Sequence, residues 1–151
     1  MKTAALAACL FATAIVAPAA LAKSPEFLNS GKVYPSNVPL AEAVRIDGML
    51  LLSGQIGIIP GTLKLVEGGM KAEAKQTMDN IKTSLEAHGY TMNDLVKCTV
   101  MLADIKLWGE FNEIYKTYFK EHFPARSAMG VNGLAVGAQL EVECMAYKAP
   151  K

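Results

Sequence analysis

The run Phe123-Pro124-Ala125-Arg126-Ser127 places a guanidinium where helical periodicity stops and strand-like alternation begins. Pro124 has no N–H, and its ring clashes with the preceding turn, so it forces the chain out of the helix. Arg126 is thereby delivered to the start of a strand, just past a rigid corner. Its planar fork of donors fits a carboxylate at two points at once. The plainer alternative is an arginine paired with a sheet-edge acid or lying on the surface. Near the C-terminus, Glu141 and Glu143 share one face of a strand, and either could serve as an acid or base. The plainer reading of both is a solvated strand face. Ser53 has no His nearby in sequence to activate it, so it reads as a hydrogen-bonding wall and not a nucleophile. Gly54 beside it permits close approach by another group, or simply relieves packing. His88 and His122 are isolated, each closing a helical pattern, so no zinc-like Cys/His spacing exists and no metal site is expected.

These residues need a scaffold. Ala43–Ile46 and Met49–Ser53 flank Asp47-Gly48, a two-residue hairpin signal with positive φ expected at both turn positions. Residues 58–69, with Pro60-Gly61 and Gly68-Gly69, read as a loop. Met70–His88 is a helix, with Ala74, Met78, Ile81 and Leu85 on one apolar stripe and Gly89 as its left-handed stop. Lys71, Lys75, Asp79, Lys82 and Glu86 form its solvated face. Val96–Leu102 alternates as a strand. Asp104 caps a second helix from about Ile105 to His122, whose buried stripe is Trp108, Phe111, Tyr115, Tyr118 and Phe119. Arg126–Val131 and Gln139–Tyr147 complete the pattern, with a loop from Val131 to Gly137. Residues 23–39, with prolines at 25, 35 and 39, read as an irregular extended arm. The order β-β-α-β-α-β-β implies a mixed sheet with both helices on one face. Two helices leave the other face bare, so self-association is its expected cover.

The chain has 151 residues, is 52% apolar and carries a net charge of +1. That suits one domain over residues 23–151 and argues against a partner gripped through phosphates. Residues 1–22 read as a secretory signal: Lys2, an apolar stretch to Ala17, Pro18, then Ala20-Leu21-Ala22 as the cleavage pattern. The expected location is periplasmic or secreted, with no membrane attachment after cleavage. Cys98 and Cys144 lie in strand-like apolar runs, where a small buried thiol is the usual explanation. Export also permits a disulfide, and the sequence does not say whether the two face each other.

Ser53-Gly54-Gln55-Ile56, Met78-Asp79-Asn80-Ile81, Phe111-Asn112-Glu113-Ile114-Tyr115, Phe123-Pro124-Ala125-Arg126-Ser127 and Leu140-Glu141-Val142-Glu143 occur in one order across about residues 38–148. Together they make the chain resemble the RidA (YjgF) family of reactive-intermediate imine deaminases. The resemblance implies a chorismate-mutase-like α/β fold, a homotrimer, and sites in clefts between subunits, with no cofactor. It implies that Arg126 binds the substrate carboxylate and Glu141 orients or activates water. Ser53 and Gly54 would line the pocket, Asn112 would support it, and Ala128 would contribute backbone groups where relatives often have Cys. Val38-Pro39-Leu40 stands where family members commonly have Gly-Pro-Tyr, so an apolar Leu40 replaces a phenol that closes the pocket.

The reaction implied is hydrolysis of 2-imino or 2-enamino acids to 2-oxo acids and ammonia, which needs positioning and modest acid–base help. Two alternatives stand beside it. One is a non-catalytic protein binding small carboxylates through Arg126. The other is a ribonuclease, against which the near-neutral charge counts. No nucleic-acid partner is expected.

Overall fold

The computed structural model describes residues 24–149. The expectation for residues 1–22 therefore lies outside the described residues. Six strands form one sheet: β1 (Glu26–Leu28), β2 (Ala43–Ile46), β3 (Met49–Leu52), β4 (Leu95–Leu102), β5 (Ala125–Gly130) and β6 (Leu140–Tyr147). Their order is β1-β2-β3-β6-β4-β5. Only β4 and β5 run parallel, and every other pairing is antiparallel. Two helices, α1 (Gly69–Ala87) and α2 (Trp108–Tyr115), pack on one face.

α1 forms where the apolar stripe predicts, and Ala74, Met78, Ile81 and Leu85 are fully buried. They meet Leu50, Leu52, Val100, Leu102, Leu140 and Val142 from the sheet. Each large aliphatic group buried there contributes roughly 1.5–3 kcal/mol. Gly89 takes φ +85° just past the helix end. From the same helix, Asn80 Nδ2 donates to the carbonyls of Ile56 and Ile58 at 3.0 Å each, pinning the segment that follows Gln55. Glu73, also buried, accepts from Gln139 N at 2.9 Å and Gln139 Nε2 at 3.0 Å, which fixes the entry to β6.

Three sequence expectations need correction. The arm is not wholly irregular, because Glu26–Leu28 adds strand β1 along β2. The second helix is shorter than 105–122: α2 is flanked by 3-10 turns at Ile105–Leu107 and Lys116–Tyr118, and the chain beyond is not helical. Phe119 and Phe123 instead fold back onto Tyr115, at ring-centroid distances of 4.6 and 6.3 Å. Of the expected aromatic stripe, only Phe111 and Tyr115 are fully buried, and Trp108 is exposed. In the hairpin turn only Asp47 adopts a positive φ, at +51°. Gly48 is needed for another reason, since a Cβ there would sit 2.2 Å from the Lys148 carbonyl oxygen. The pairing of Cys98 and Cys144, which the sequence leaves open, follows from the strand register. The two lie directly opposite on β4 and β6 and form a disulfide.

A second small core joins Val33, Tyr34, Ile56, Ile58 and Ala138 beneath the arm. The sheet face away from the helices carries Val44, Met49, Leu51, Met101, Met129, Met145 and Tyr147 beside Lys97, Thr99, Glu141 and Glu143. These alternate in register with the buried residues of the helix side. No described element covers it.

Candidate active site

Arg126 enters at the second residue of β5, directly after the Pro124 corner, in register with Cys98. Its place beside buried Cys98 turns its side chain to the helix side of the sheet, under α2. Nη2 donates to Asn112 Oδ1 at 2.7 Å. The guanidinium carbon lies 4.4 Å from the centroid of the Tyr115 ring and 5.8 Å from that of Phe111, a cation–π arrangement. No ion pair of the described residues involves it. Together with Asn112, Tyr115, Lys116, Phe123 and Pro124 it lines a cleft of about 420 Å³. Two polar atoms at the floor of this cleft, Arg126 Nη1 and Tyr115 Oη, are buried without a hydrogen-bond partner. Burial pushes the Tyr115 phenol up, and the neighbouring guanidinium only partly offsets this. Ala128 lies two residues along the same face of β5, exposed at the sheet edge.

The other predicted residues gather elsewhere. β3 gives way at Ser53-Gly54, and the chain rejoins β6 through a bridge between Gln55 and Val142. Ser53 is held rigidly: its N–H donates to the Glu42 carbonyl at 3.0 Å and its hydroxyl to the Ala41 carbonyl at 2.7 Å. Glu141 lies directly against Gly54, and a Cβ on Gly54 would fall 1.9 Å from Glu141 Oε1. The glycine is therefore required by the carboxylate. Burial first, then the charge of Glu143, pushes the Glu141 carboxyl above the ordinary carboxylate value. Such a group takes up a proton more readily than a free carboxylate, as a general base near neutrality must. Glu143, on the same face, is exposed. Leu40 is half-exposed and lines a hollow of about 250 Å³ under the arm with Tyr34, Val38 and Glu42.

Within one protomer the two groups do not meet. Arg126 occupies the Cys98 row on the helix side. Glu141 pairs with Met101 on the opposite face. The sheet itself separates them.

A sequence model of the family described as Endoribonuclease L-PSP matches residues 32–148. The chain belongs to that family. Members similar to it include the human 2-iminobutanoate/2-iminopropanoate deaminase, 45% identical over 123 residues, covering 82% of this chain and 90% of that one. Among solved structures, RidA from an Antarctic Psychrobacter superposes with a TM-score of 0.76 at 34% identity, covering 82% of this chain and 99% of that one. A Thermotoga maritima structure titled a putative endoribonuclease gives a TM-score of 0.77 at 35% identity, covering 82% and 97%. The six-stranded sheet with two helices is the fold of these L-PSP/RidA relatives.

Sequence reasoning missed Tyr34. Its hydroxyl donates to the Gly54 carbonyl, and its ring lies in the small core under the arm. No sequence signal singles it out: the arm also carries Phe27, Leu28, Val33 and Val38, and the other aromatic, Phe27, is exposed. Tyr115, read as core, is core and also the platform beneath the guanidinium.

Proposed function

We propose that this protein hydrolyses 2-imino and 2-enamino acids to 2-oxo acids and ammonia. The observation that carries the reading is Arg126: a guanidinium lining a cleft, held by a neutral amide, with Nη1 unpaired. It is neither locked to an acid nor turned out into solvent. A substrate carboxylate would take that unpaired donor. The names of the human and Psychrobacter relatives support the same chemistry.

The iminium carbon of such a substrate is already electrophilic. Glu141 takes one proton from a water as the water oxygen bonds to that carbon and the C=N π pair moves onto nitrogen. Glu141 passes that proton to nitrogen, then takes the carbinol O–H proton as the C–N bond breaks and the carbonyl forms; ammonia leaves and carries the last proton away as ammonium. Arg126 and Asn112 hold the acid end, Ser53, Gly54 and Leu40 wall the reacting end, and the Ala128 backbone borders it. Since Arg126 and Glu141 lie on opposite faces of one sheet, a complete site needs two copies. A homotrimer that buries the bare, Met-rich face would cover it and could set edge strand β5 of one protomer, with its Arg126, beside Glu141 of the next.

The test is 2-iminopropanoate generated in situ, with its disappearance timed. Wild type should accelerate it, and Arg126→Ala should not. A specific observation favours a second reading, a carboxylate-binding protein without turnover: Leu40 offers no polar atom at the hollow it lines. In that case wild type leaves the rate unchanged while 2-oxobutanoate still binds, and binds less to Arg126→Ala. RNA cleavage surviving that substitution would support the family's other description. Export, proposed from residues 1–22, is tested by the N-terminal sequence of the protein recovered outside the cytoplasm; it should begin at Lys23.

A further inference from the structure

We infer that Tyr34 is a positioning residue for this reaction: by holding the Gly54 carbonyl it fixes the surface on which Glu141 rests. The inference rests on the deaminase reading and extends it to a residue in the arm.

Gly54 sits between two anchors. On one side Gln55 exchanges both backbone hydrogen bonds with Val142, at 2.9 Å each. On the other, Ser53 N is tied to Glu42. The Gly54 carbonyl itself lies off the ladder, and the donor it receives is the Tyr34 hydroxyl. At the same residue, Glu141 Oε1 occupies the space of the missing side chain. A displacement of Gly54 by a few tenths of an ångström therefore moves the wall against which the carboxylate packs. Tyr34 is well mounted to prevent this. Its ring is buried with Val33, Ile56, Ile58 and Ala138. The Val33 carbonyl beside it accepts from Gly61 N at 2.8 Å. Burial, then the charges of Glu141 and Glu42, push the phenol far up, so it stays a donor wherever the protein works. Catalytic carboxylates held loosely lose rate before they lose binding, because placement to within about 0.5 Å governs the chemical step.

Tyr34→Phe removes only the hydroxyl. With 2-iminopropanoate, kcat should fall about five- to twentyfold while KM stays within about twofold, because Arg126 is untouched. In a Glu141→Gln background the same substitution should add no further loss, since its effect passes through that carboxylate. The Glu141 carboxyl titration, followed by its 13C resonance, should move toward the ordinary value in Tyr34→Phe as water enters beside it. A folded Tyr34→Phe protein with wild-type kcat and an unmoved titration overturns the inference. So do losses that multiply independently in the double variant. If wild type shows no turnover, the deaminase reading has failed, and the titration alone then decides whether Tyr34 holds Glu141 in place.

Discussion

Arg126 is a half-buried cation whose hydrogen-bonded side-chain partner is an amide, and this sets how it should respond to substitution. Arg126→Lys keeps the charge but loses the fork, the stacking on Tyr115 and the reach to Asn112. We expect kcat/KM for 2-iminopropanoate to drop about 100-fold, mostly through KM. Gly54→Ala separates site from fold. Its Cβ would strike the tip of a flexible side chain, Glu141, and not backbone. Stability by urea titration should change by less than about 1 kcal/mol, while kcat falls at least about tenfold as the carboxylate swings away. Arg126, Glu141 and the serine–glycine pair stand out in the sequence as candidates because each belongs to a compact motif. Tyr34 does not, because its partner Gly54 lies 20 residues away and only the folded arm brings them together.

At the scale of elements, the arm is fastened by Glu42. This carboxylate is buried, accepts from Ser30 N and Ser30 Oγ at 2.6 Å and from Ser84 Oγ at 2.5 Å, and lies 3.6 Å from His88 Nε2. Burial alone would push its pKa up, but the Ser30 and Ser84 hydrogen bonds and the His88 ring outweigh that and hold it below 4.5. A depressed folded value gives stability that is complete above the unfolded value of 4.5 and is lost as pH falls through the folded one. Glu141, with its raised value, contributes the opposite slope: its ionisation in the folded protein works against stability as pH rises above 4.5. Glu42→Gln should therefore flatten the fall of urea midpoints on acidification below pH 4.5, and Glu42→Ala should cost roughly 2–4 kcal/mol at neutral pH. Val136 is a strained point of another kind. It is exposed, and a β-branched residue at φ +52° is unfavourable. Val136→Gly should raise stability by about 0.5–1 kcal/mol, read from the same titrations. Helix α1 was predictable because its apolar stripe repeats without interruption. The second helix was overextended because its aromatic spacing continues past the point where the chain leaves the helix. Phe119 and Phe123 satisfy that spacing by folding back onto Tyr115, which periodicity alone does not distinguish from another turn. β1 spans three residues, too short to show alternation, and the disulfide depends on a strand register that spacing does not give.

At the scale of the molecule, the bare sheet face carries the argument for assembly. Met145 is exposed there, next to Lys97 on β4. For the proposed trimer, Met145→Asp should leave the protomer folded by circular dichroism but shift the mass in solution from three chains to one, and activity should disappear with it. Dilution of wild type below its assembly range should lose activity in parallel. The layout of sheet and helices was legible from the order of elements, but the separation of Arg126 and Glu141 onto opposite faces needed the strand registers.

The position of β6 has one further consequence. The last strand of the chain is an inner strand of the sheet, inserted between β3 and β4. Until residues 140–147 emerge during synthesis, β3 and β4 have no bond to each other and the carbonyls and amides along their facing edges stay open. The newborn chain therefore stays unfinished until its final stretch arrives. A chain ended by a stop codon after Gln139 should be recovered only as aggregate or degraded fragments, whereas one ended after Lys148 should fold.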